Sequence, residues 1–135
     1  MSDWNASVIA EFRASGGKVG QFGDSPLVIL HTIGAKSGEV REIPLVALVE
    51  GDEMTVFASR GGAPTNPDWY YNLLKTPEVE IEFGTEKFRG RLSELPADIA
   101  AAKLQSQAAL MPQFGEYVIS AAPRIIPAFT IERQS

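Results

Sequence analysis

The chain has no cysteine and a single histidine, His31, among its 135 residues. Thiol nucleophiles, thiolate metal sites, Cys-His catalysis and multi-histidine metal centres are thereby excluded, and no metal is expected. Redox chemistry would need an added cofactor. Positive charge is also scarce: 12 Lys and Arg stand against 17 Asp and Glu, a net charge of −5. That balance argues against nucleic-acid binding, which rests on an excess of cations. A small-molecule partner is expected instead. No apolar run approaches the ~18 residues of a membrane-spanning helix. Met1-Ser-Asp-Trp-Asn also lacks the positive region and apolar stretch of a secretory signal, so the expected address is the cytoplasm.

What the chain does have is apolar content, 44% of its residues. A chain of this size buries roughly 68% of the surface that its unfolded form exposes, enough for one core without disulfides. One domain over residues 1–135 is expected, with no linker and no internal repeat. Asp3 to Ser15 carries Trp4, Val8, Ile9 and Phe12 near helical spacing, with Ser2 or Asp3 as N-cap and Gly16-Gly17 as the stop. Packing on the body of the domain is its expected role; a membrane-surface role is disfavoured, because Arg13 is its only basic residue.

Leu27 to Ile33 is continuously apolar and β-rich, the pattern of a strand buried on both faces. Glu42 to Glu50 is a second strand, with Pro44 placing its first part at an edge or bulge. Met54 to Ser59 alternates as if one face were wet. Glu78 to Phe83 and Glu86 to Leu92 form a hairpin about Gly84-Thr85 with one solvated face, on which Glu78, Glu80 and Glu82 lie. Ile125 to Ile131 is the last strand. Short helices are expected over Asp68 to Lys75, with Asn66 as N-cap and Pro67 in the first helical position, over Pro96 to Leu110, and over Gln113 to Ala121. About six strands without a βαβ rhythm point to an antiparallel barrel, mainly β or α+β in class.

Two segments hold residues suited to chemistry. Gly34-Ala-Lys-Ser-Gly-Glu-Val-Arg41 places Lys36, Ser37 and Arg41 beside glycines that let backbone N–H groups approach an anion. It lacks the spacing and following helix of a Walker loop, and a solvated β-turn is the plainer reading of these residues alone. Ala58-Ser-Arg-Gly-Gly-Ala-Pro-Thr-Asn-Pro-Asp-Trp-Tyr-Tyr-Asn72 offers Ser59, Arg60, two glycines and a helix start toward an anion, with Trp69 and Tyr70 able to flank a planar ligand or to join the core. His31, in an apolar strand, reads as a hydrogen-bonded interior residue and receives no role.

These segments carry a resemblance. The series Gly34-x-Lys-Ser-Gly-x-x-Arg41-x-x-Pro44, the stretch from Ala58 to Asn72 and the following Pro77-Glu-Val resemble the deazaflavin-dependent nitroreductase family. Gly16-Gly17-Lys18 and Arg124-Ile-Ile-Pro127 extend the likeness in order across the chain. The resemblance implies a split β-barrel like that of flavin-mononucleotide oxidoreductases, and coenzyme F420 as cofactor. It implies that Lys36, Ser37, Gly38 and Arg41 hold the coenzyme's phosphate and acidic tail, with Arg60 where the family usually has Lys. Pro44, Ala58, Ser59, Gly61 and Gly62 would border the deazaflavin ring, and Trp69 and Asn72 would support that wall.

The chain departs from the family pattern in two regions. Ala35 replaces a common Arg, which removes one phosphate contact. Three substrate-side tyrosines read here as Met111, Phe114 and Tyr117, so one hydroxyl remains. The expected activity is hydride transfer from the reduced coenzyme to a quinone, enone or nitro compound, with Tyr117 and Ser59 hydrogen-bonding the acceptor. A flavin-mononucleotide-dependent reductase of the same fold and a non-catalytic coenzyme carrier are the alternatives, and either a monomer or a homodimer is compatible with the sequence.

Overall fold

The structure, a computed structural model, describes residues 2–22 and 25–134, leaving aside the side chains of Ser2, Asp3, Trp4, Gln21 and Gly61. The expectations for the first N-cap, for Trp4 and for the side of Gly61 fall outside the described residues. Six strands, β1 (Leu27–Ile33), β2 (Val40–Glu50), β3 (Glu53–Phe57), β4 (Glu78–Phe83), β5 (Glu86–Glu94) and β6 (Ala128–Arg133), close into a barrel in the order β1-β2-β3-β6-β5-β4. Every pairing is antiparallel, as the sequence pattern requires. Four helices lie around it: α1 (Ser2–Ser15), α2 (Asp68–Lys75), α3 (Ala97–Leu110) and α4 (Gln113–Ala121). None of the described helices is long and apolar enough to cross a membrane.

Alternation along the strands decides what fills the barrel. Val28, Leu30, Ala47, Val56, Val79, Ile81, Leu92, Phe129 and Ile131 point inward, and Trp69 and Leu73 of α2 join that core. Gly90 is needed there because a Cβ would stand 2.5 Å from Ile81 Cδ1. The outward residues are covered in two places. α1 sets Val8, Ile9 and Phe12 against Leu27 and Ile29, so β1 is buried on both faces, as its continuous apolarity predicts. α3 and α4 set Ala100, Leu104 and Phe114 against Leu48, Phe57 and Ala128.

That second cover corrects the reading of β3. Thr55 is wholly buried and Phe57 nearly so, because the face its alternation marked as wet belongs to a surface that the helices cover. Pro44 pairs with Ile29 of β1 on a part of β2 that β3, bonded only along Ala47 to Glu50, does not reach. Its missing N–H therefore costs no ladder bond on the open side. Pro67 flanks α2 where Asn66 was expected to cap it: Asp68 is the first helical residue, and Asn66 Oδ1 accepts instead from the Arg124 guanidinium at 2.7 Å. Pro96 likewise precedes α3 where it was expected to open it.

Candidate functional site

The β1–β2 loop is rigid in backbone and open in side chain. Gly34 N–H donates to Glu39 O at 2.8 Å, and Gly38 N–H to Gly34 O at 2.9 Å. From α2, Asn72 Oδ1 accepts from Ala35 N–H at 2.9 Å and Lys75 Nζ donates to Ala35 O at 2.7 Å. Asn72 thus fixes the loop. Lys36, Ser37, Gly38 and Arg41 are all exposed. Ser37 Oγ accepts from Glu39 N–H at 3.1 Å, which leaves its proton to donate, and Arg41 has only a loose 3.5 Å approach to Glu39.

The strands joined by this loop line a groove of about 1160 Å³. One wall is α1, from Asn5 to Arg13; the others are Thr32, the β2 residues Val40 to Ile43, and Asp68, Trp69 and Asn72 of α2. Of the residues singled out in the sequence, Arg41, Trp69 and Asn72 line it. The α1 wall was not anticipated, and a cluster of charges holds it in place. Arg13 donates from Nη2 to Glu82 at 2.6 Å and to Glu42 at 2.8 Å, and from Nε to Glu82 at 3.1 Å. His31 Nε2 lies 2.7 Å from Glu82 and Nδ1 3.7 Å from Glu42.

The Arg13 guanidinium foremost, with His31 adding to it, holds the Glu82 carboxyl down at about 2 against the opposing effect of burial. The same carboxylates raise Arg13 above its ordinary range. His31 is therefore hydrogen-bonded, as expected, through a partner 51 residues away. Glu78 and Glu80 face solvent beside Arg91 and Lys87, as the hairpin pattern predicts, but Glu82 is only 13% exposed. His31, Glu42 and Glu82 bring ligand-type atoms within 4.8 Å of one another, with the Arg13 guanidinium as the positive charge among them.

The second segment is wired differently. All five Arg124 N–H groups are engaged: Nε and Nη2 donate to Ala63 O at 3.0 and 2.7 Å, Nη1 to Ala58 O at 3.0 Å and to Asn66 Oδ1, and Nη2 to Ser59 O at 2.8 Å. Burial lowers the Arg124 pKa, and the neighbouring Arg60 charge lowers it further. Ala58 is wholly buried, with its N–H donating to Pro127 O at 2.9 Å. Arg60 has a positive φ of 50° and donates to Thr65 Oγ1 at 2.5 Å.

Gly62, at φ 84°, lies so close to α4 that a Cβ would stand 2.9 Å from Ser120 Cβ and 3.0 Å from Tyr117 Cα. Tyr117 is half-buried, edge-on to Phe114 at 5.2 Å, with Gln113 Nε2 at 3.4 Å from its hydroxyl. Gly62 and Tyr117 thus meet where this loop touches α4, outside the Arg41 groove. The loop then runs straight into α2, whose first residues line that groove. Arg124 was visible in the sequence as part of a motif but without a role, since four of its five contacts are to carbonyls that leave no residue signature. An arginine set among Pro123, Ile125, Ile126 and Pro127 was the available hint of a buried guanidinium.

A family model described as F420H(2)-dependent quinone reductase matches residues 4–132. The F420H(2)-dependent quinone reductase Rv1261c of Mycobacterium tuberculosis (strain H37Rv) is 40% identical over 81 residues, 58% of this chain and 54% of that protein. The match thus spans about half the length of the curated relative. A solved F420-H2 dependent reductase, FDR-A, superposes with a TM-score of 0.70 at 31% identity, covering 79% of this chain and 94% of that one. A protein solved as a domain-swapped dimer gives 0.72 at 29% identity, covering 97% and 98%. The family model runs across the whole barrel and all four helices, and the chain belongs to the F420H(2)-dependent quinone reductase family.

Proposed function

We propose that the protein is a cytoplasmic reductase that uses coenzyme F420 to reduce a quinone. The observation that carries this reading is the β1–β2 loop: its backbone is fixed by Asn72 and Lys75, while Lys36, Arg41 and the Ser37 hydroxyl are exposed on it, beside a groove of about 1160 Å³ that Arg41 lines. That donor set suits a phosphate with an acidic tail, and the groove is large enough for a tricyclic ring system. The residues present therefore fit the coenzyme. Bound there, it would supply the hydride.

The chain's own residues do the rest. Lys36, Ser37 and Arg41 grip the anionic part, and Gly38, at a φ of 74°, supplies the left-handed backbone that turns the loop. Trp69 walls the ring, Pro44 would border it from β2, and Ala58, Gly61 and Gly62 would border it from the loop that leads into α2. Arg60 adds a third cation. α1 forms one wall of the groove and shields a bound ring from water on that side. Ser59 and Tyr117 hydrogen-bond the acceptor, and the Tyr117 hydroxyl donates to its reduced oxygen. A homodimer is part of this reading, supported by the 29% identical relative solved as a domain-swapped dimer.

Fluorescence titration with F420 tests the loop: Lys36→Ala and Arg41→Ala should each raise Kd roughly tenfold, by loss of a charge-assisted contact. Unchanged affinity in both would reject the assignment. Anaerobic mixing of the reduced complex with quinones should reoxidise the coenzyme, and a complex that stays reduced with every quinone would reject the reaction.

A further inference from the structure

A second cavity, of about 500 Å³, opens between α3, α4 and the segment that leads to β6. Small residues carve it: Ala101 and Ala108 stand seven apart on α3, as do Gly115 and Ala122 along and just past α4. Leu104 and Ile126 form buried parts of its lining, and Val118 and Ile125, 45% and 65% exposed, form its open side. Arg124 also lines it, but with every N–H engaged by the Ala58 to Asn66 loop it has no hydrogen bond left to give. Apart from the exposed Gln105 amide, the lining offers a ligand no polar side-chain group that is not already engaged, so a hydrocarbon gains by leaving water where a polar ligand finds few partners.

The geometry points to this cleft as the binding site for the aliphatic chain of a lipophilic quinone, an inference that rests on the reductase reading above. Its position selects that occupant. Val118, on its wall, follows Tyr117 directly, and Arg124, which also lines it, donates from Nη2 to Ser59 O. An acceptor ring placed at Tyr117 and Ser59 would have the cleft as its neighbouring apolar volume, of ligand size. The α1 groove lies on the other arm of the same loop, so coenzyme and chain would not compete for space.

The test compares two benzoquinones with identical rings, one bearing a ten-carbon alkyl chain. Burial of about half that chain should favour the alkylated quinone in kcat/KM by roughly a hundredfold or more. Ala108→Leu, which fills the cleft, should cut that preference at least tenfold, and Ala101→Leu, at a more exposed point of the wall, serves if the first variant does not fold. Independently, decanol added to the coenzyme-free protein should shift the methyl NMR signals of Leu104, Val118 and Ile126. Equal kcat/KM for the two quinones with unmoved methyl signals would overturn the cleft while leaving the reductase intact. Methyl shifts without reduction of either quinone would support a hydrocarbon site and overturn the reductase reading. If the filling variants change the protein's mass in solution and not its selectivity, the cleft is a contact between copies and the inference fails.

Discussion

Arg13 and Arg124 each tie a distant segment to the barrel, and they do so by opposite physics. Arg13 reaches from α1 to two carboxylates, is 44% exposed, and has its pKa raised by them. Arg124 reaches from the approach to β6 to uncharged carbonyls and one amide, is half-buried, and has its pKa lowered by burial. The first is a contact between opposite charges at the wall of the groove; the second is a set of directed hydrogen bonds that dictates the shape of a loop. The difference teaches which perturbations each segment should feel. Acid and salt act on charge pairs, while loss of planar, five-donor geometry acts on a carbonyl cradle.

Arg124→Ala should be the most damaging change. It leaves Ala58 O and Ala63 O without the guanidinium, while Ser59 O keeps the Gly62 N–H at 2.9 Å, and two unmet carbonyls of this kind cost about 3 kcal/mol together, allowing for water reaching them. Chemical denaturation should show that loss. Arg124→Lys should recover less than half of it, since an ammonium cannot span the same acceptors, whereas Arg13→Lys should retain the larger share of its contact, because the ammonium keeps the charge that Glu82 and Glu42 answer although it loses the fork on Glu82. Equal tolerance of lysine at both positions would contradict the contrast.

Acid should separate the two segments next. Glu82, held at about 2, lies below the ordinary glutamate value near 4.3. A depressed carboxyl pKa contributes stability that is fully present above the ordinary value and is lost as pH falls through the native one. The expected loss is up to about 3 kcal/mol between pH 4.3 and pH 2, and it should disappear in Glu82→Gln. Amide exchange should rise first in α1, because among the described residues Arg124 has no carboxylate partner to titrate.

The contrast also explains what the sequence made legible. Strand positions showed because alternation repeats every two residues, and the cation loop showed because Lys36, Ser37 and Arg41 sit together in the chain. Thr55 was misread because alternation reports a strand's two faces and not the helices that later cover one. Asn66 was misread because its cap position was outcompeted by a guanidinium 58 residues away. The Arg13 cluster joins α1, β1, β2 and β4, a juxtaposition that only barrel closure creates. Pairing across the barrel placed Glu42 directly opposite His31, with Glu82 diagonal to it.

Salt should give the smallest effect and the finest discrimination. At about 1 M NaCl the screening length falls to roughly 3 Å, comparable with the Arg13 to Glu42 contact, and a pair this exposed loses at most about 0.5 kcal/mol. Global stability is a poor readout, because the net charge of −5 repels itself and salt relieves that repulsion everywhere. The informative quantity is the ratio of amide exchange in α1 to that in the Ala58 to Asn66 loop. Raising NaCl from low salt to 1 M should increase that ratio about twofold. In Arg13→Gln the ratio should start higher and no longer respond, because the charge that salt screens has gone. A ratio that ignores salt in the wild-type protein would mean that α1 is held by Val8, Ile9 and Phe12 alone, and Arg13 would then be a bystander at the groove wall.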